Sequence, residues 1–314
     1  GKRMLQYSLE EKISRCFDLN CNISNCNNLA ACTIYDNTLF IFHSFANRVV
    51  KINLDSGKVV SKKELCPNID YIFNREKDSY CVSGKKIDVF HKLYSCGCQV
   101  NNDIWLFTER KQMVLKYDLS TEKYIQYFLP QIIKGCVHAI WKNELFYILS
   151  VEGNVYSWDF FNNKVEILFD CRNEYVYPCF GMIAVTDETV WLLPCLGEHI
   201  YIINLKNKEK KRYSAYPEDF KYYTDPNRSK FYGYDEDKRN YYYAMHSANY
   251  ILVIEKRSGK ETWLKPVEPD LNEKTEYYKN NYPIQQYDEL EFGLEGYLMI
   301  LAKKRFVSHK KEER

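Results

Sequence analysis

VVKINLDSGKVV, residues 49–60, alternates apolar and polar side chains, breaks at a short polar stretch, and then resumes. That pattern reads as strand, tight turn, strand. The same dozen recurs without a gap as MLQYSLEEKISR from Met4, VLKYDLSTEKYI from Val114 and VYSWDFFNNKVE from Val155. It returns as IYIINLKNKEKK from Ile200 and ILVIEKRSGKET from Ile251. Positions one, two and four are apolar or aromatic in every copy, and position five is always polar.

A second series lies upstream: TLFIF from Thr38, DIWLF from Asp103, ELFYI from Glu144, TVWLL from Thr189 and NYYYA from Asn240. Each begins 11 residues before its partner. In front of each sits a polar turn (YDN, VNN, WKN, TDE or DKRN) and another short apolar segment. The unit is therefore four antiparallel strands, repeating every 41 to 65 residues. A single such unit cannot bury both of its faces, but stacking units around an axis does. The repeat therefore predicts an all-β propeller.

Six blades are expected. The copy at Met4 has third and fourth strands only, and DELEFGLEGYLMILAKKR near the other end offers a first and second, so the two termini would share one blade and leave no open edge. Seven blades would require 66–94 to form a whole blade. It is short for that and reads as an insertion with one hairpin at SYCVSGKKIDVF. Residues 267–287 form a second long insertion, and 1–314 reads as a single propeller domain.

The turn LDSGKVV resembles the outer hairpin of pyrroloquinoline-quinone-type, Kelch-like and WD-repeat-like propellers. The resemblance spans nearly the whole chain and stays at superfamily level. SWDF at Ser157–Phe160 lacks the Gly-His partner of WD repeats, and the Kelch double glycine is absent.

Bulk composition narrows the function classes. Apolar content of 46% supports a full core. A net charge of +2 from 44 basic and 42 acidic residues gives no pull toward nucleic acid or anionic membrane. Apolar runs such as TLFIF and YLMILA are strand-sized, too short to span a bilayer. The 12 cysteines lack paired zinc-ligand spacing, CGC at Cys96 and Cys98 being the nearest approach. Many alternate with apolar neighbours, as small buried hydrophobes do. Reduced thiols, a cytoplasmic setting and no metal or cofactor are expected. Phosphate-cradle, nucleophile-elbow and EF-hand patterns are all missing.

In a propeller the second-to-third-strand loops and the inter-blade links emerge together, and the turns of the DSG type emerge opposite. The latter are uniformly short, whereas links at 66–94, 215–230 and 267–287 are long. Long loops on a rigid scaffold are where recognition concentrates. The candidate binding residues on that face are His43, Arg48, Arg110, Glu198, His199, Tyr222, Tyr223, Arg228 and His246. Tyrosine and arginine are favoured anchors of protein interfaces. Loop packing, for the tyrosines, and simple turn formation, for the histidines, are the plainer explanations of the same residues. Two functions follow. One is a non-enzymatic scaffold for a protein or peptide. The alternative is a propeller enzyme or saccharide-binding protein using His, Glu and Arg at the channel mouth. The apolar inner strands AACTIYD, GCQVNN, VHAIWK and FGMIAV favour the scaffold.

Overall fold

A computed structural model describes residues 3–7, 14–18, 29–44, 47–56, 58–65, 77–82, 85–90, 92–170, 180–195, 197, 199–220, 230–245, 248 and 250–265. The chain divides into two compact units, Gly1–Arg212 and Tyr213–Arg314.

The first unit opens with a two-stranded hairpin, β1 (Arg3–Tyr7) and β2 (Ser14–Asp18). Blade I follows as β3 (Leu29–Tyr35), β4 (Thr38–His43), β5 (Arg48–Asn53) and β6 (Val59–Glu64). A second hairpin, β7 (Lys77–Val82) and β8 (Lys85–Phe90), stands at the predicted insertion. Blade II comprises β9 (Tyr94–Val100), β10 (Asp103–Thr108), β11 (Met113–Asp118) and β12 (Tyr124–Phe128). Blade III comprises β13 (His138–Lys142), β14 (Leu145–Leu149), β15 (Val155–Asp159) and β16 (Lys164–Phe169). Blade IV comprises β17 (Phe180–Val185), β18 (Thr189–Pro194), β19 (Tyr201–Asn204) and β20 (Lys210–Arg212). The second unit holds blade V: β21 (Phe231–Glu236), β22 (Asn240–Met245), β23 (Ile251–Glu255) and β24 (Glu261–Leu264). Within every blade the strands hydrogen-bond antiparallel in chain order.

Among the described residues this is the β-propeller arrangement of four-stranded blades, with five blades rather than the expected six. Among the described residues the N-terminal copy makes only the β1–β2 pair, which has two strands where a blade needs four. Its supposed partner segment, 288–305, lies outside the described residues. The insertion likewise yields one hairpin, too little for a seventh blade.

The 11-residue offset has a direct cause. It sets Thr38 opposite Asn53 in blade I and Asp103 opposite Asp118 in blade II, the same rung of each hairpin. In the first unit the innermost strands stand side by side, β3 by β9, β9 by β13 and β13 by β17. Alternating residues of β10 then serve two cores. Ile104 and Leu106 pack with Phe40, Phe42 and Tyr117 toward blade I. Trp105 and Phe107 pack with Phe146, Ile148 and Trp158 toward blade III. Burial on both faces explains why DIWLF reads as a continuous apolar run.

Position five of the repeat is polar because its side chain caps the following turn. Asn53 accepts from the Ser56 amide at 2.9 Å. Asp118 accepts from the amides of Ser120 and Thr121, each at 2.8 Å. Asp159 accepts from Asn162 at 3.0 Å, and Asn204 from Lys206 at 2.8 Å. Such Asx turns give the chain reversal a local hydrogen-bond partner. The hydrogen bonds, led by the Ser120 hydroxyl, hold the Asp118 carboxyl down at about 2.

Candidate functional site

Antiparallel topology divides the loops of each blade between two ends. The first-to-second and third-to-fourth turns share one end, and the former reach the latter directly: the Leu54 amide donates to Asn37 O at 3.0 Å, Leu119 to Asn102 O at 2.9 Å, and Leu205 to Glu188 O at 2.7 Å. Neighbouring blades are tied here by Lys51 with Glu122, Lys142 with Asp187 and Lys208 with Glu166.

The opposite end carries the second-to-third-strand loops and the links. In blades I and II the links lie against the preceding loops. Leu65 donates to Asn47 O at 3.0 Å, and Leu129 to Gln112 O at 2.8 Å. The Gln112 side chain reaches on to Ile133 O at 2.7 Å. The Ser44 carbonyl accepts from both Leu93 and Tyr94, at 2.8 and 3.0 Å, and so fixes the entry to β9. Glu109 is buried, and its carboxylate accepts from the Lys92 amide.

Four of the nine predicted residues are described. His43 ends β4 and is 1% exposed, not a solvated turn residue. Among the described residues neither ring nitrogen has a hydrogen-bond partner, and the adjacent Ser44 hydroxyl is likewise buried and unpartnered. Burial, with the Arg48 and Lys62 cations acting on it, pushes His43 down to about 4. Arg48 begins β5, exposed, one position before Val49, which pairs with the neighbour of His43, Phe42. Arg110 is exposed in the loop after β10, in blade II. His199, half-buried in blade IV, packs edge-on against Tyr201 with ring centroids 6.4 Å apart. The structure thus brings together His43 and Arg48. Glu198, Tyr222, Tyr223, Arg228 and His246 lie outside the described residues.

Sequence reading missed three contributors at this end. Lys62 sits on an outer strand, where a lysine looks like any solvated charge. Ser44 reads as turn chemistry. The third signal is apolar: Phe128, 69% exposed and paired with Met113, and Ile132, 48% exposed, lie at the long-loop end of blade II. Their exposure is invisible to pattern, because TEKYIQYFLPQII reads as an ordinary strand and link.

In the second unit, part of the tyrosine-rich link is accounted for by packing. Tyr216 and Phe220 stack with Tyr213, Tyr250 and Trp263 at centroid distances of 4.7–5.7 Å. Asp219 accepts from the Tyr250 hydroxyl and from Lys265, which together hold its carboxyl below the usual range.

A second buried histidine, His138, opens β13 and accepts from the Ile183 amide at 3.4 Å. Burial, with Lys92 nearby, pushes it down to about 3. Both histidines are lowered bases, so their contribution is intact above the unfolded value of 6.5. It is lost as pH falls from there toward about 4 for His43 and about 3 for His138, because the unfolded chain takes up protons that the folded chain refuses. Each costs at most about 1.4 kcal/mol per pH unit. Denaturant titrations are therefore expected to show stability falling by about 2–4 kcal/mol between pH 7 and pH 5. In His43→Leu the pH slope shrinks by roughly half. A flat profile over this range would contradict the burial of both rings.

No protein-family model and no curated protein matches the chain. Among solved structures it is similar to U3-55K, at 10% identity and a TM-score of 0.45, over 77% of this chain and 67% of that one. It is also similar to the computationally designed Ika8 protein, at 7% identity and a TM-score of 0.41, over 85% and 72% of the two chains.

Proposed function

We propose that the chain is a non-enzymatic scaffold that takes up a protein or peptide partner at its long-loop end. The observation that carries this reading is an asymmetry between the two ends. At the short-turn end, Asn53, Asp118, Asp159 and Asn204 are turned back onto their own backbones. At the long-loop end, Arg48, Arg110, Phe128 and Ile132 stand exposed. Arginine and aromatic side chains beside apolar ones are the residue types that anchor protein interfaces.

The test compares two folded variants in affinity capture from a cell extract. Arg110→Ala combined with Phe128→Ser and Ile132→Ser alters the long-loop end. Phe161→Ser with Asn162→Ala alters the opposite turn of blade III, where Phe161 is 74% exposed. Retention of a specific partner is expected to drop at least about tenfold in the first, an anchor loss above about 1 kcal/mol. It is expected to persist in the second. The reverse pattern would defeat the reading.

We also assign the chain to a reducing compartment, the cytoplasm. Cys96 and Cys136 support this: both are buried, and their sulfurs lie 3.8 Å apart as free thiols. Burial, then the neighbouring Cys96, raises the Cys136 thiol well above its usual value, which keeps it unreactive. Among the described residues no helix is long and apolar enough to cross a membrane. Thiol titration is expected to find few reactive groups in the native protein and nearly all 12 after denaturation. Several native disulfides by mass spectrometry would overturn the assignment.

A further inference from the structure

Resting on the reading that the long-loop end takes up a partner, we propose that blade I carries an oxyanion site there. Arg48, Lys62, His43 and Ser44 form it, and it recognises a carboxylate or phosphate group on that partner.

Strand register supplies the geometry. Phe42 pairs with Val49, so the next rung sets His43 beside Arg48. Arg48 pairs onward with Glu64, and Val50 with Lys62. Residues two apart along a strand share a face, so Arg48, His43 and Lys62 lie on one face of the blade at its long-loop end. Both cations are exposed, and both act electrostatically on His43. Among the described residues neither has a carboxylate partner, Glu64 across from Arg48 included.

Beyond this charged rim are buried polar groups. Both His43 nitrogens and the Ser44 hydroxyl are buried without a hydrogen bond. Buried polar groups are almost always satisfied by protein, water or ligand. Adjacent orphans on consecutive residues, next to two unpaired cations, mark a place that an outside group completes. Arginine offers a planar fork, lysine a point charge, and serine and neutral histidine one donor each. An oxyanion, rich in acceptors and negatively charged, can take one donor from each of the four residues. A neutral amide would satisfy the buried donors but make no use of the cations.

The experiment follows the histidine rings by NMR in protein labelled with 15N-histidine. The His43 signal is identified by its loss in His43→Gln or, if that variant does not fold, through backbone assignment. Sodium phosphate and sodium acetate are titrated separately at ionic strength held constant with sodium chloride. A saturable shift of His43 is expected. A response to phosphate alone marks a phosphorylated partner, and a response to acetate marks a carboxylate. Arg48→Gln is expected to weaken the response at least tenfold and Lys62→Gln several-fold, with the other histidines unmoved. No saturable shift with either anion, or unchanged affinity in Arg48→Gln, would overturn the site. If partner capture depends on the long-loop end while His43 ignores both anions, the oxyanion site alone fails. If His43 responds but the partner is captured at the opposite end, the scaffold reading alone fails.

Discussion

Gly135→Ala is expected to prevent accumulation of folded protein, or to destabilise it by about 3–5 kcal/mol. Gly135 sits in the link into blade III with φ of +125°, a region that side chains with a Cβ rarely enter. The space is closed as well. A Cβ there would lie 1.9 Å from the Glu109 carbonyl oxygen, which is backbone and cannot swing aside. The next residue, Cys136, donates its amide to Thr108 O at 3.2 Å, so the link is pinned against the loop after β10. Thermal melting and soluble yield measure the effect. A variant that melts with the wild type would show that the link does not pass this close to Glu109.

Phe146→Ala is expected to cost about 3–5 kcal/mol, the usual range for deleting a fully enclosed aromatic ring. Phe146 is 0% exposed and lies at the centre of the core between blades II and III. Its ring sits 4.5 Å from Trp141, 5.0 Å from Trp105, 5.4 Å from Phe107 and 5.6 Å from Trp158, centroid to centroid. Removing it strips contacts from four aromatic neighbours at once. By contrast, Phe161→Ala is expected to change stability by less than about 1 kcal/mol. Denaturant unfolding of the two variants side by side gives the comparison. Equal losses would mean that the blade II–III core is not centred on Phe146.

Much of the blade architecture was legible because it is written in short-range chemistry. The 11-residue offset is a hairpin register, and the invariant polar position is a turn cap, as Asn53 and Asp118 show. The ninth position was harder. Glu122, Asn163, Lys208 and Gly259 all adopt positive φ there, at 51–72°, and only one is the glycine that would signal it. Blade count was misread for a physical reason. The β1–β2 hairpin has the same alternation as the outer half of a blade, and among the described residues it pairs with no further strand. Burial was misread for a related reason. Turn formation is the sequence explanation for His43, but the rung with Leu29 extends β4 through it and encloses the ring. Lys62 became relevant only once register placed it on the face of His43.

The division of labour between the two ends is tested most directly by amide hydrogen exchange of the captured complex against the free protein. Binding is expected to slow exchange around residues 92–95, 109–112 and 129–137 at the long-loop end. The capped turns at 54–56, 118–123, 159–164 and 204–209 are expected to stay unchanged. Slowing confined to those turns, with the long-loop segments unaffected, would contradict the account.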